Sequence, residues 1–370
     1  MLLLQNDSLD WALAHVQRFG DTDVFPVPFE YAAIEHDWAN VKASLAGVDM
    51  LQWTTRPLRI LLSPKARNGF RVITQLDPLD FIIFSSLVRE IATDLEARRV
   101  AVAEARVFSY RARPLQDGQL FSPDTGYRQF LEACTRKLNA DPTIQFVATT
   151  DISDFYARIY HHRLENALNT ATTRTNHVRA IMRLLSGWNG TETFGIPIGS
   201  APSRLLAETT LADVDEALLA AGVDFVRFND DYRIFGDSHE RVYRAIAFLA
   251  ETLYRNHGLN LQQQKTDIYT TAQFRAQFLV TPLDRELDSL HSRFEELAAQ
   301  LGLNDWYEPI EYDDLEDEQK AAIDSLNLAQ LFREELDEDE PELPIFRFVL
   351  RRLSQLGDAA LVDDIFDNLE

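Results

Sequence analysis

Two carboxylates sit side by side in the stretch FVRFNDDYRIFGD, Phe225–Asp237. Asp230 and Asp231 follow Asn229, with Phe225, Val226 and Phe228 before them and Tyr232, Ile234 and Phe235 after. Adjacent acids seldom occupy the middle of a strand. The pattern therefore reads as two strands joined by a tight turn at Asn229–Asp230. On its own such a tip is an ordinary polar turn. A third acid changes the chemistry on offer. Asp151 ends the apolar run IQFVATTD, and in an antiparallel sheet that strand end can lie beside the hairpin tip. Three carboxylates in one place repel strongly unless they hold a divalent cation. Mg²⁺ takes oxygen ligands, usually one or two carboxylates plus substrate phosphates. Two such ions about 4 Å apart activate an attacking hydroxyl and stabilise a leaving pyrophosphate. That is the arrangement of nucleotidyl transfer.

The elements that must position these acids follow from periodicity. Residues 143–280 read as strand, helices, hairpin, helix, strand: a βαββαβ unit, an antiparallel sheet backed by helices. Asp237 and Glu240 are spaced as a capping pair for the helix after the hairpin, and LNLQQQKTDIYT returns as the last strand. Residues 56–142 hold short strands broken by SPKARNG, then a long helix, and Arg56, Arg59, Lys65, Arg67 and Arg71 cluster there. Residues 1–55 read as helical, with one helix over FEYAAIEHDWANVKASLAG stopped at Gly47. Residues 281–370 read as helical and acidic, and PIFRFVLRRLSQLGDAALVDDIFDNLE resembles one pair of an α-helical repeat.

The net charge of −23 looks hostile to nucleic acid, but it is unevenly spread. Residues 281–370 carry 26 acidic and 7 basic residues, while the other 280 carry 33 and 29. The body is close to neutral, so the charge excludes nothing there; runs such as Glu311–Glu318 and Glu334–Glu342 read as solvated loops. Cys134 is the only cysteine, which excludes a disulfide framework and a cysteine zinc site. The first residues lack the basic and apolar regions of a signal peptide, and no apolar run reaches the roughly 20 residues of a membrane span. The expectation is a cytoplasmic protein without a membrane partner. His161 and His162 are adjacent on a helix and point about 100° apart, so they read as structural rather than as a metal pair.

Five stretches in order carry a family resemblance. FNDD (Phe228–Asp231) resembles the aromatic-x-Asp-Asp motif of reverse transcriptases, and TTDISDFYARIYHHRLENAL (Thr149–Leu168) resembles their first catalytic motif. GIPIGSAPSRLLAE (Gly195–Glu208) resembles the template- and nucleotide-facing loop and helix. LNLQQQKTDIY (Leu259–Tyr269) resembles the later lysine-bearing motif, and SPKARNGFRVIT (Ser63–Thr74) the fingers. ARVFSYR (Ala105–Arg111), DISDFY and IYHHRLENAL are most similar to bacterial defence-associated enzymes, the abortive-infection and "unknown group" reverse transcriptases.

The resemblance implies an α+β right-hand polymerase: fingers at 56–142, palm at 143–280, with helical regions at 1–55 and 281–370, the last standing in place of a thumb. It implies that Asp151 and Asp230 bind two Mg²⁺ or Mn²⁺ ions, that Asp231 assists, and that Ile152 offers a backbone carbonyl. Tyr156 would stand where an aromatic ring blocks a ribose 2′-hydroxyl. Lys65 and Arg71 would hold the triphosphate, Gly199 would let the backbone approach the nucleotide, and Lys265 would act as general acid. Phe228 stands where tyrosine is more usual and keeps its ring packing; Ser200 stands where proline is common; Asn229 occupies a variable position. The implied partners are deoxynucleoside triphosphates and nucleic acid, as RNA or as single-stranded DNA product. A noncoding RNA, a partner defence protein or a second copy of the chain also fits. Tyr110, Tyr127 and Tyr160 are candidates for protein-linked priming, and nothing in the sequence selects one. Two other readings stand beside this one. A palm-fold nucleotide cyclase shares the metal acids, but the basic segment at 56–74 and the GIPIGSAPSR loop oppose it. A non-catalytic polymerase-fold scaffold would fit the acidic tail, but gives no reason to keep three like charges together.

Overall fold

The structure, a computed structural model, describes residues 1–22, 25–65 and 69–279 and, beyond these, residues 328, 330, 332, 333, 349 and 350. The chain divides into two compact units, Met1–Arg275 and Ala276–Glu370. The acidic runs at 311–318 and 334–342 and most of the repeat-like pair lie outside the described residues, as does residue 280 at the end of the expected palm.

The larger sheet has four antiparallel strands: β3 (Phe146–Asp151), β4 (Asp224–Phe228), β5 (Asp231–Gly236) and β6 (Asp267–Thr270), in the order β4-β5-β3-β6. The expected hairpin is β4–β5, and β3 lies directly beside it. From Val147 to Thr150 every residue of β3 is buried, as expected for a strand covered on both faces. Against the sheet and each other pack α7 (His161–Ala171), α8 (Thr175–Asn189), α9 (Ala201–Thr210), α10 (Ala212–Ala220) and α11 (His239–His257). Ala148, Phe225, Tyr232 and Ile234 of the sheet share one hydrophobic core with Leu205, Leu206, Val242, Leu249 and Leu253 of the helices.

A second, two-stranded sheet pairs β1 (Arg59–Lys65) with β2 (Gly69–Gln75). It leads into α4 (Pro78–Arg98), which Asp77 caps by accepting from the Leu79 N–H at 3.0 Å, with Pro78 in the first turn. The run DFIIFSSLV in α4 is buried throughout, so this helix is a core element rather than an amphipathic one. Phe84 is fully buried, edge-on to Trp188 at 5.3 Å; truncating it to alanine costs about 3–5 kcal/mol. Other α-helices include α1 (Asn6–Phe19), α2 (Glu30–His36), α3 (Trp38–Ala46), α5 (Tyr127–Ala140), α6 (Phe155–Arg158) and α12 (Thr271–Phe274).

Three local expectations shift. The helix expected from Phe29 to Gly47 breaks into α2 and α3 at Asp37, whose carboxylate accepts from the Asn40 side chain at 2.6 Å; a short polar side chain competes with the helix for such bonds. The cap of α11 is Ser238, accepting from the Arg241 N–H at 3.4 Å, while Asp237 pairs with the Arg241 guanidinium at 3.3 Å. The last strand begins only at Asp267, after a short 3-10 turn at Gln263–Lys265.

Candidate active site

The turn between β4 and β5 is built around Asn229. Its φ of 56° lies in the left-handed region, which asparagine tolerates better than most residues. Its N–H donates to Ser109 Oγ at 2.7 Å, and its carbonyl accepts from Arg227 Nη1 at 2.7 Å. The next carbonyl, that of Asp230, accepts from the Ile152 N–H at 3.1 Å. Register does the rest: Asp151 of β3 faces Asp231 of β5, so the strand end and the hairpin tip meet.

Eight of the residues singled out in the sequence line one cavity of 410 Å³: Tyr110, Asp151, Ile152, Tyr156, Gly199, Asn229, Asp230 and Lys265. Phe70, Val72 and Ile73 of β2 border the same cavity, so the two-stranded sheet stands at its edge. Gly199 has φ 107°, open to glycine alone at little cost. Lys65 ends β1 opposite Gly69, and Arg71 faces Ser63 across the hairpin; their side chains lie outside what is described. Phe228 sits beneath the tip among Tyr110, Tyr127 and Phe130, with ring centroids 5.3–6.0 Å away.

The electrostatics separate the three acids. Burial, then repulsion from Asp151, pushes the Asp230 carboxyl up to about 6. Lys265 Nζ lies 2.7 Å from Asp151 Oδ2. Asp231 is held by both terminal nitrogens of Arg233, two residues along the same face of β5. Burial raises its carboxyl and Arg233 opposes that rise. Among the described residues no three His, Cys, Asp or Glu side chains converge to hold a metal ion by themselves. The pair Asp151 and Asp230 nevertheless fits a divalent cation. Two carboxylates, one buried without enough positive charge to keep it comfortably ionised, are the donor set Mg²⁺ takes when substrate phosphates complete its shell.

Sequence reasoning missed what lies under the tip. Arg227 is fully buried, with Asp215 at 2.5 and 2.9 Å and Glu208 at 3.1 Å. Glu208 also takes Arg99 at 2.5 Å and the Ser109 hydroxyl. Burial alone would lower the Arg227 pKa, but Asp215 and Glu208 hold it well above its ordinary value. Arg227 thus keeps its charge, and both groups that fix the Asn229 main chain belong to this network. A charged residue inside each of the apolar runs FVRF and LLAETT was the available signal. His161 is structural: its ring nitrogen lies 2.8 Å from the Gly195 carbonyl, and His162 is exposed.

An antiparallel βαββαβ sheet with paired carboxylates at a hairpin tip, beside a two-stranded sheet and facing a cavity, defines a right-hand polymerase palm and fingers. Residues 64–312, well over half of the chain, match the reverse transcriptase (RNA-dependent DNA polymerase) family. The chain belongs to that family of nucleic acid polymerases, which are nucleotidyltransferases and generally use divalent metals. No protein of curated function matches the sequence. Among solved structures, a telomerase from Candida albicans in complex with a fragment of telomeric RNA superposes with a TM-score of 0.44 at 12% identity, covering 92% of this chain and 67% of that one. A C-terminally truncated apo telomerase from Candida tropicalis gives 0.42 at 14% identity, covering 65% and 55%, and another apo telomerase structure from that species gives 0.42 at 11%, covering 67% and 49%. The chain thus spans about half to two thirds of the length of these structures. Among the described residues no helix is long and apolar enough to cross a membrane.

Proposed function

We propose that this chain synthesises DNA from deoxynucleoside triphosphates by two-metal nucleotidyl transfer at Asp151 and Asp230. One observation carries this reading: the two carboxylates meet on one cavity with Asp230 pushed up to about 6, a charge left for a ligand to meet. The metal ions, Mg²⁺ or Mn²⁺, would supply charge neutralisation for the triphosphate and activation of the attacking hydroxyl. The chain's own residues do the positioning. Asp151 and Asp230 are the anionic ligands, with the Ile152 carbonyl beside them. Asp231, whose carboxylate Arg233 holds, assists from the position opposite Asp151. Lys65 and Arg71 on the hairpin of β1 and β2 hold phosphate oxygens. Gly199 lets the protein backbone come close to the nucleotide. Tyr156 faces the sugar. Lys265 serves as general acid once its ammonium leaves Asp151.

The same reading extends to biology. The phrases ARVFSYR, DISDFY and IYHHRLENAL support antiphage defence in a bacterial cytoplasm. The template is RNA, a noncoding RNA included, or synthesis is untemplated and protein-primed. A partner defence protein or a second copy of the chain completes the assembly. The deciding experiment incubates the protein with Mg²⁺ or Mn²⁺ and each labelled nucleotide, with and without RNA and primer, beside Asp230→Ala. DNase-sensitive polymer from the wild type alone supports the reading. Its absence under every condition favours the scaffold.

A further inference from the structure

We propose that Asn229 is a positioning residue that ties the ring of Tyr156 to the carboxylate of Asp230, and thereby sets how strongly the site prefers deoxyribose to ribose. The inference deepens the reading above and rests on it.

The amide of Asn229 is used at both ends. Its Nδ2 donates to Asp230 Oδ1 at 2.9 Å, and its Oδ1 accepts from the Tyr156 hydroxyl at 3.1 Å. This orientation is the one the chemistry requires. An ionised carboxylate only accepts, so it must meet the NH₂, which leaves the amide oxygen for the phenol. Asn229 itself cannot drift. Ser109 and Arg227 grip its main chain from the charged network below, and its φ of 56° suits asparagine. Tyr156 sits in the short α6 just after β3, and both it and Asp230 line the cavity. A ring anchored only by packing could swing away from an added hydroxyl. A ring tethered through its phenol oxygen to a clamped amide cannot do so without breaking a hydrogen bond. The same amide occupies one oxygen of Asp230 and so fixes which way that carboxylate faces.

Alanine at 229 would be strained at positive φ, so glycine is the clean deletion. The test measures binding of dATP and of ATP to the full chain with Mg²⁺ by calorimetry, together with kcat/KM for each in polymer synthesis. Asn229→Gly is expected to lower the dATP-over-ATP preference about tenfold, mainly through tighter ATP binding and a lower KM for ATP. Tyr156→Phe, which keeps the ring and removes the tether, should move the ratio the same way. The double variant should go no further than Asn229→Gly, because both remove one coupling. A merely structural role would weaken both nucleotides together and leave the ratio unchanged, which overturns the inference. Fully additive single effects overturn it too. Binding of neither nucleotide to the wild type sinks the polymerase reading, and this inference with it.

Discussion

Two pairs of carboxylates lie close together in the palm, and the fold treats them in opposite ways. Glu208 and Asp215 are buried beneath the hairpin tip, and Arg227 and Arg99 meet them with several short hydrogen bonds. Asp151 and Asp230 lie at the tip itself. One surface ammonium, Lys265, reaches Asp151, and Asp230 takes an asparagine amide instead of a cation. The first pair is satisfied by the chain. The second leaves negative charge over, and the surplus faces a cavity. A fold with a free choice would neutralise both. Keeping one pair open makes sense where a ligand brings the missing positive charge.

Substitution separates the two pairs most clearly. Asp230→Asn should abolish polymer synthesis, by at least about 10³-fold in kcat, while the metal-free protein melts no lower than the wild type. Arg227→Ala should do the reverse in kind. It strands the buried carboxylate of Asp215 and costs about 3–5 kcal/mol, read as a melting point lower by roughly 10 °C or more. If Asp230→Asn destabilised and Arg227→Ala did not, the division between the two pairs would be wrong. Replacing Arg227 and Asp215 together by apolar residues of similar size, with Glu208 left on Arg99, should recover much of the lost stability, as buried ion pairs often allow.

pH sharpens the same contrast. The folded value of Asp230, about 6, lies above its ordinary 3.8. Between those values the folded state holds the proton more tightly than the unfolded chain. Its contribution is therefore present below pH 3.8 and lost as pH rises through about 6. Denaturant melts of the metal-free protein at pH 5 and pH 7.5 should differ more for wild type than for Asp230→Asn, by at most about 3 kcal/mol. Equal pH slopes would show that Asp230 is not held protonated by its surroundings. Adding Mg²⁺ at pH 7.5 should raise the melting point of the wild type by a few degrees and leave Asp230→Asn where it was.

The open pair was readable in the sequence and the closed pair was not, for a physical reason. Alternation of apolar residues marks β4 and β5, the Asn-Asp step marks their turn, and a strand ending in an acid marks β3. Antiparallel pairing then leaves few ways to arrange them, and the structure pairs Asp151 with Asp231 as the hairpin argument needs. The buried network has no such local signature. Arg227 pairs with Glu208, 19 residues away, and Glu208 with Arg99, 109 residues away. Only the tertiary fold brings them together. Asp231 teaches a subtler point. Adjacency to Asp230 suggested a shared role, yet Asp230 lies in the turn while Asp231 opens β5, where Arg233, two residues on along the same face, takes its carboxylate. That pairing was open to a reading by twos. Asn229 read only as a turn residue at a variable position, because its partner Tyr156 lies 73 residues back in the chain.

Lys265 gives the smallest and most discriminating test. Its ammonium lies on Asp151, where a bound cation would compete with it, yet the proposed chemistry asks it to protonate the leaving pyrophosphate. The two demands pull a substitution in opposite directions. Lys265→Gln removes a competitor for Asp151, so Mg²⁺ should bind several-fold more tightly in calorimetry. It also removes the acid, so kcat should fall by about 10²-fold while KM for the nucleotide changes little. Tighter metal with unchanged kcat would make Lys265 a placeholder that keeps the empty site from repelling itself. Weaker metal with lower kcat would make it a structural prop of the 3-10 turn before β6. Only the split, tighter metal and slower turnover, assigns it to both the resting and the working state of the open pair.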